Sequence, residues 1–297
     1  MAETSFSIEL RRFLHRTIYE PFRIVTRDRR AFAGLIILLI FLLMATIGPE
    51  VVPLDMRSNF VERFKPPSWE HPLGTDYGGR DVLAMIIHGS RDVLSVAFLA
   101  ALFTSIIAVA FGMIAGLKGG LVDVILSLAI NAVLSIPSFP VMLILGSVFK
   151  ITNALTFGLV LSIWSWGTLA RAVRSQVLSL KEREFIEAAR TLGLGTFHIV
   201  FRELLPNVMP YMAINFVDTM RGAIGASVGL MFLGLVPFSA TNWGMMLNFA
   251  VRQAGAIYLP QATFYVLSPM VAIMLLELGG VFFAHGLDEL LNPRLRS

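Results

Sequence analysis

Lys181-Glu-Arg-Glu-Phe-Ile-Glu-Ala-Ala-Arg-Thr-Leu-Gly-Leu-Gly-Thr-Phe-His-Ile-Val-Phe-Arg-Glu-Leu-Leu-Pro206 lies between two apolar runs. Glu182, Glu184 and Glu187 crowd the start of a helix, where the peptide dipoles favour negative charge. Phe185, Ala188, Ala189 and Leu192 recur at helical spacing and form an apolar stripe. Gly193 and Gly195 stop that helix. Phe197, Ile199, Val200 and Phe201 begin a second short piece, and Pro206 opens the next long helix. The expected product is a small helix lying across a membrane surface, with small residues exposed on one side. A knob of that kind suits a groove on a partner protein. The stretch is also too long for a simple connection between helices.

The rest of the chain supplies the membrane. Of its 297 residues 56% are apolar and 15% charged, whereas a soluble domain carries about 25% charged residues. Such a balance needs lipid as solvent. The absence of cysteine excludes disulfides, thiolate metal sites and thiol nucleophiles. Histidines 15, 71, 88, 198 and 285 form no zinc-binding spacing, and no metal site is expected. Residues 7–30 are arginine-rich, and no small-residue cleavage site follows them, which argues against a cleavable signal. Leu10, Phe13, Leu14 and Ile18 share a helical face, with Arg11, Arg12 and Arg16 elsewhere. Both a basic amphipathic helix on the inner membrane surface and a solvated cytoplasmic tail fit this pattern.

A bilayer core needs about 20 apolar residues per helix. Runs of that kind predict spans near 31–48, 92–117, 121–149, 153–173, 207–236 and 262–284. The third contains Pro137 and Pro140, so a kink with an outer extension is expected there rather than two crossings. With the N-terminus inside, the inner segments hold sixteen Lys and Arg and the outer segments seven. That bias fits six crossings with both termini cytoplasmic; an odd number would put Arg294 and Arg296 outside. The expected fold is therefore an all-α integral membrane protein with six transmembrane helices. Its predicted parts are a basic cytoplasmic tail (1–30), a first span (31–48) and an extracytoplasmic segment (49–91). A five-helix core (92–288), including the cytoplasmic loop 174–206, and a C-terminal tail (289–297) complete it.

Glu187-Ala188-Ala189, then Gly193, then Leu205-Pro206 after eleven intervening residues, resembles the EAA loop of binding-protein-dependent ABC importer permeases. Glu203 departs from that pattern, which usually has isoleucine two places before Leu205. The resemblance extends over most of the chain. His71-Pro-Leu-Gly-Thr-Asp-Tyr-Gly-Gly-Arg-Asp-Val-Leu83 looks like the segment before the second span of dipeptide and oligopeptide permeases. Phe232-Leu-Gly-Leu235 with Asn242-Trp-Gly-Met-Met-Leu247, and the ending Gly286-Leu-Asp-Glu-Leu-Leu-Asn-Pro-Arg294, are similar to later parts of the same family. The single span ahead of the His71 segment resembles the C-type membrane subunit.

The resemblance implies the type I ABC importer permease fold and a transport subunit rather than an enzyme, with no catalytic residues. Its EAA loop, here Glu184, Glu187, Ala188, Ala189, Gly193, Leu205 and Pro206, would dock into an ATPase subunit. The implied partners are a homologous second permease, two ATP-binding subunits or domains, an extracytoplasmic solute-binding protein and membrane lipid, with no nucleic acid. The chain would bind no cofactor itself; ATP and Mg would sit on the partner subunits. Cargo in such families is di- or oligopeptides, with oligosaccharides and nickel chelates as alternatives. The outer stretches 60–90 and 237–260 are the expected docking surface for the binding protein.

Other motifs point elsewhere and are weaker. No G-x-x-x-x-G-K-[ST] loop occurs; Gly112 to Lys118 comes nearest and fails on spacing. Gly225-Ala-Ser-Val-Gly229 fits G-x-S-x-G, with His285 in the next span, which raises an intramembrane serine protease. Along rising and descending helices, however, Ser227 and His285 fall at opposite ends, and a nucleophile and its base must be about 3 Å apart. Gly222, Gly225, Ala226 and Gly229 instead predict a face for close helix packing. A channel or secondary transporter is disfavoured by the lack of an internal repeat. Asp218, Arg221 and Glu277 are charges inside spans, about 16, 21 and 12 Å from the cytoplasmic helix ends at 1.5 Å per residue. Charges at such depth mark a pathway or a paired site. Asp218 and Arg221, three apart, share a helical face. The two readings are a salt-bridge cluster and, with Asn215, the wall of a translocation cavity.

Overall fold

The computed structural model describes residues 28–253 and 255–291. The stretch Leu10 to Ile18, expected to be amphipathic, and the basic pair Arg294 and Arg296 lie outside the described residues. Among the described residues the protein is all helical, and its one pairing of extended segments is an isolated bridge between Thr75 and Asp81. The longer elements are α1 (Arg29–Thr46), α2 (Gly48–Val51), α3 (Val82–Lys118), α4 (Gly120–Ser135), α5 (Ser138–Val148) and α6 (Ala154–Leu180). They continue with α7 (Glu184–Thr191), α8 (Thr196–His198), α9 (Leu205–Phe232), α10 (Trp243–Asn248) and α11 (Thr263–Leu291).

Among the described residues, three helices are long and apolar enough to cross a membrane: α1, α3 and one spanning Pro260–Glu289. The pair α4 and α5 would make a fourth span, bent by 89°. That bend is larger than the kink expected from the two prolines. Pro137 carries no N–H to continue α4, and α5, with 11 residues, is too short to cross alone at 1.5 Å per residue. Helices α6 and α9 have 27 and 28 residues, long enough to span. Arg171 and Arg174 in α6, and Asn215, Asp218 and Arg221 in α9, interrupt their apolar surface.

Three predicted span ends fall well short of the helices, and at the last of them α11 runs on to Leu291 rather than ending at 284. Helix α3 begins at Val82, ten residues before the expected 92, because Asp81 caps it by accepting from the Ala84 amide at 2.7 Å. Its 37 residues reach about 55 Å, well beyond a hydrocarbon core of about 30 Å. The segment expected to run from 49 to 91 is therefore helical in its last part. Helix α6 likewise runs on to Leu180 rather than ending at 173.

Helices α3 and α6 share the most extensive interface. A Cβ at Gly112 would fall 2.7 Å from the Ala170 carbonyl oxygen and 2.8 Å from Val173 Cβ, so only glycine allows the backbones so close. Between membrane helices such small-residue contacts stand in for the missing hydrophobic drive. The core has two parts. Trp243, Met85, Phe157, Leu161 and Tyr265 centre one, at the end carrying residues 49–81. Trp166, Val173, Val177, Ile186 and Leu204 centre the other, at the end carrying residues 181–206. There Arg174 Nη2 donates to Asp123 Oδ2 at 2.7 Å and Arg171 Nη2 to Asn131 Oδ1 at 2.9 Å, tying α4 to α6.

Candidate functional site

The knob predicted for residues 181–206 is built from α7, a glycine turn and a second short piece. Glu184 and Glu187 occupy the first turn of α7, where they complement the dipole. Ile186 and Ala189 are buried in the core part centred on Trp166 and Val173. Phe185, Ala188 and Leu192 are exposed, Leu192 by 77%. The stripe expected from spacing is thus divided: Ala189 holds the helix to its own chain, and Phe185, Ala188 and Leu192 present an apolar face outward. The Leu194 amide donates to the Ala189 carbonyl at 3.0 Å and the Gly193 amide to the Arg190 carbonyl at 2.9 Å. This pair of bonds forms a Schellman turn with Gly193 in the left-handed region, at φ +72°. Gly195 has φ −66°, an ordinary value, so the helix ends at Gly193 alone. Phe197 and Phe201 stack at 4.4 Å between ring centroids and are exposed. Wide helical turns over Ile199–Leu204 lead into α9. Leu205 is partly buried against the same core part, and the exposed Pro206 lies in the first turn of α9.

A second feature is a cavity of about 630 Å³ between α6, α9 and the α4–α5 bend. Asn215, Asp218, Gly222 and Gly225 line it from α9, and Trp164, Ser165 and Thr168 from α6. A Cβ at Gly222 or Gly225 would meet nothing within 4 Å. Within this chain these glycines face the cavity rather than a packed helix, which corrects the expected close-packing face. Gly229 alone of the three meets a neighbour, the Phe139 ring. The three charges on α9 and α11 separate by role. Arg221 Nη1 donates to Asp218 Oδ1 at 2.9 Å, and its Nε lies 3.3 Å from Glu277 Oε2 on α11. Gly280 makes room for this reach, since a Cβ there would meet Arg221 Cδ at 2.7 Å. Arg221 and Glu277 therefore join α9 to α11, and Asp218, 51% exposed along its side chain, faces the cavity. Trp164, Ser165 and Thr168 were missed from sequence; their signal was polar side chains at i, i+1 and i+4 within an apolar run. Ser227 is fully buried and its Oγ donates to the Ile224 carbonyl at 3.0 Å, an ordinary helical bond that leaves no exposed nucleophile.

At the other end, residues 59–81 fold over the start of α3. Asp76 is fully buried and its Oδ2 accepts from Arg80 Nε at 2.8 Å. Trp243 Nε1 donates to the Ile86 carbonyl at 3.1 Å, and Ser239 and Thr241 both donate to Asp92. The stretches 60–90 and 237–260 are thereby packed together. His71 Nδ1 lies 2.7 Å from Asp81 Oδ2 and its Nε2 lies 3.3 Å from Glu62 Oε2. The bond to Asp81 raises the His71 pKa above its ordinary 6.5. Bonds from Lys65 and then His71 lower that of Glu62 from 4.5. A raised folded value means that the histidine contribution is complete below pH 6.5 and fades as pH rises through the raised value. The lowered Glu62 contribution is complete above pH 4.5 and fades in stronger acid. Tryptic cleavage after Arg63, the nearby basic residue not followed by proline, is expected to be about two- to threefold slower at pH 6 than at pH 8, relative to His71→Gln at each pH. A constant ratio would exclude the clamp.

The comparisons with known proteins agree with this architecture. Residues 108–297 match the family described as binding-protein-dependent transport system inner membrane component. The chain is 34% identical over 286 residues to the dipeptide transport system permease protein DppC of Bacillus subtilis, covering 93% of this chain and 86% of that protein. It is 32% identical over 271 residues to the oligopeptide transport system permease protein OppC of the same organism, covering 91% and 87%. A dipeptide permease DppC of Alkalihalophilus pseudofirmus is 33% identical over 284 residues, covering 94% and 90%. The chain thus belongs to the binding-protein-dependent transport system inner membrane components, in their dipeptide and oligopeptide permease branch.

Proposed function

We propose that this inner-membrane chain forms half of the translocation pathway of an ABC importer for di- or oligopeptides and is driven through residues 184–206. The observation that carries the reading is the α7 knob. Its Phe185, Ala188 and Leu192 are exposed among the described residues, while Ile186 and Ala189 anchor it to the helices that continue into the membrane. A push on this face reaches α6 and α9 through packed side chains. In this reading α1, α3, the α4–α5 pair, α6, α9 and α11 make six crossings, with both termini and the knob cytoplasmic. The lysine and arginine bias supports that direction. Partner ATPase subunits bind ATP and Mg, a homologous permease supplies the other half of the pathway, and a solute-binding protein delivers cargo to the 60–90 and 237–260 surface. The peptide reading rests on the names of the relatives.

The test is copurification. A chain with Ala188→Glu and Leu192→Glu, whose like charges join Glu184 along one face and cannot pair with one another, changes only exposed positions and is expected to reach the membrane at the usual level. It should retain less than about a tenth of the ATP-binding subunit that the unaltered chain brings down, because a buried unpaired charge at a docking site is costly. Full retention would place the docking site elsewhere.

A further inference from the structure

The cavity beside Asp218 has a definite polarity. Asp218 is the one charged side chain among the described residues that line it. Its partner Arg221 is shared with Glu277, so two carboxyl groups face one guanidinium and Asp218 does not hold that cation alone. The neutral groups add to this bias. Asn215 donates one Nδ2 hydrogen to the Tyr211 carbonyl at 2.8 Å and keeps Oδ1 as an acceptor beside its second N–H. Thr219 donates to the Asn215 carbonyl at 2.7 Å and Ser165 to the Leu161 carbonyl at 2.8 Å. With their protons engaged by the helix, both hydroxyls offer lone pairs. Trp164 Nε1 is buried without a partner among the described residues, and the Ser138 and Thr168 hydroxyls on the same wall can each donate or accept.

We infer that this cavity is a cation-preferring surface, which attracts ammonium and guanidinium groups of a passing solute and repels carboxylates. The inference rests on the translocation reading and narrows it: among peptides, those with a free amino terminus or with Lys and Arg side chains are favoured at this wall. Asp218 supplies the one charge on this wall, and Asn215 Oδ1, Thr219 and Ser165 add acceptors beside it.

The absence of cysteine makes the test direct. Gly222→Cys places a thiol one helical turn, about 6 Å, from Asp218, in open space. The assembled transporter in liposomes is treated with a trimethylammonium or a sulfonate methanethiosulfonate of equal length, and labelling of this chain is followed by mass. The cation-to-anion rate ratio is expected to fall about tenfold when Asp218→Asn is added, and to be kept by Asp218→Glu. An unchanged ratio, or no labelling by either reagent, overturns the inference. Repeating the measurement with ATP and vanadate separates it from the reading beneath. A labelling rate that is the same in the trapped and nucleotide-free states sinks the translocation role and leaves the charge preference standing. A rate that changes while the ratio ignores Asp218 does the reverse.

Discussion

Gly193→Val is expected to reduce substrate-stimulated ATP hydrolysis by the assembled transporter at least tenfold, with membrane insertion unaffected. Position 193 sits at φ +72°, where an L-residue costs about 1–2 kcal/mol and a β-branched one more. An added Cβ there would meet nothing within 4 Å, so the effect is one of backbone strain and not of collision. Relief comes from leaving the left-handed region. That breaks the bonds from the Gly193 and Leu194 amides to Arg190 and Ala189 and turns the exposed Leu192 away from Phe185 and Ala188. The control is Gly195→Ala, at φ −66° and equally open, which should keep near-normal coupling. Normal stimulated turnover in Gly193→Val would remove the knob from the coupling role. Equal losses at both positions would mean that surface bulk, not the turn, matters.

Arg221→Ala should have the largest effect on stability. Arg221 is the only cation within reach of Asp218 and Glu277 among the described residues, and its loss leaves two carboxylates facing each other between α9 and α11. Removing one partner of a buried ion pair costs about 3–5 kcal/mol; these half-buried side chains fall below that range, but inside a bilayer water offers little relief. The thermal unfolding temperature of the detergent-solubilised complex is expected to drop by several degrees. Adding Glu277→Gln should restore most of it, since the amide needs no counter-charge. An Arg221→Ala protein as stable as the unaltered one would show that the bridge joins nothing. A loss not rescued by Glu277→Gln would assign the arginine's contribution to packing against Gly280.

Local chemistry determined much of this protein from the sequence alone. The low charge content and long apolar runs required lipid as solvent. Acidic residues, helical spacing and a glycine stop placed a short helix between two long ones. The EAA pattern led to the family that the comparisons then showed. These properties are written in residue type and short-range spacing, so they survive without a fold.

Tertiary structure decided what depends on a neighbour distant in sequence. The apolar run predicted a span from residue 92, with an extracytoplasmic segment before it. Helix α3 nevertheless begins at Val82, because Asp81 caps it and Trp243 bonds to Ile86 from far along the chain. Gly193 and Gly195 looked equivalent as helix stops, and only the backbone angles separate them. Gly222 and Gly225 matched a close-packing pattern but line a cavity, since spacing says which residues share a face and not what that face meets. Asp218 and Arg221 share a face as their spacing requires. It took the position of Glu277 on α11 to draw the arginine toward one helix and leave the carboxylate at the cavity wall.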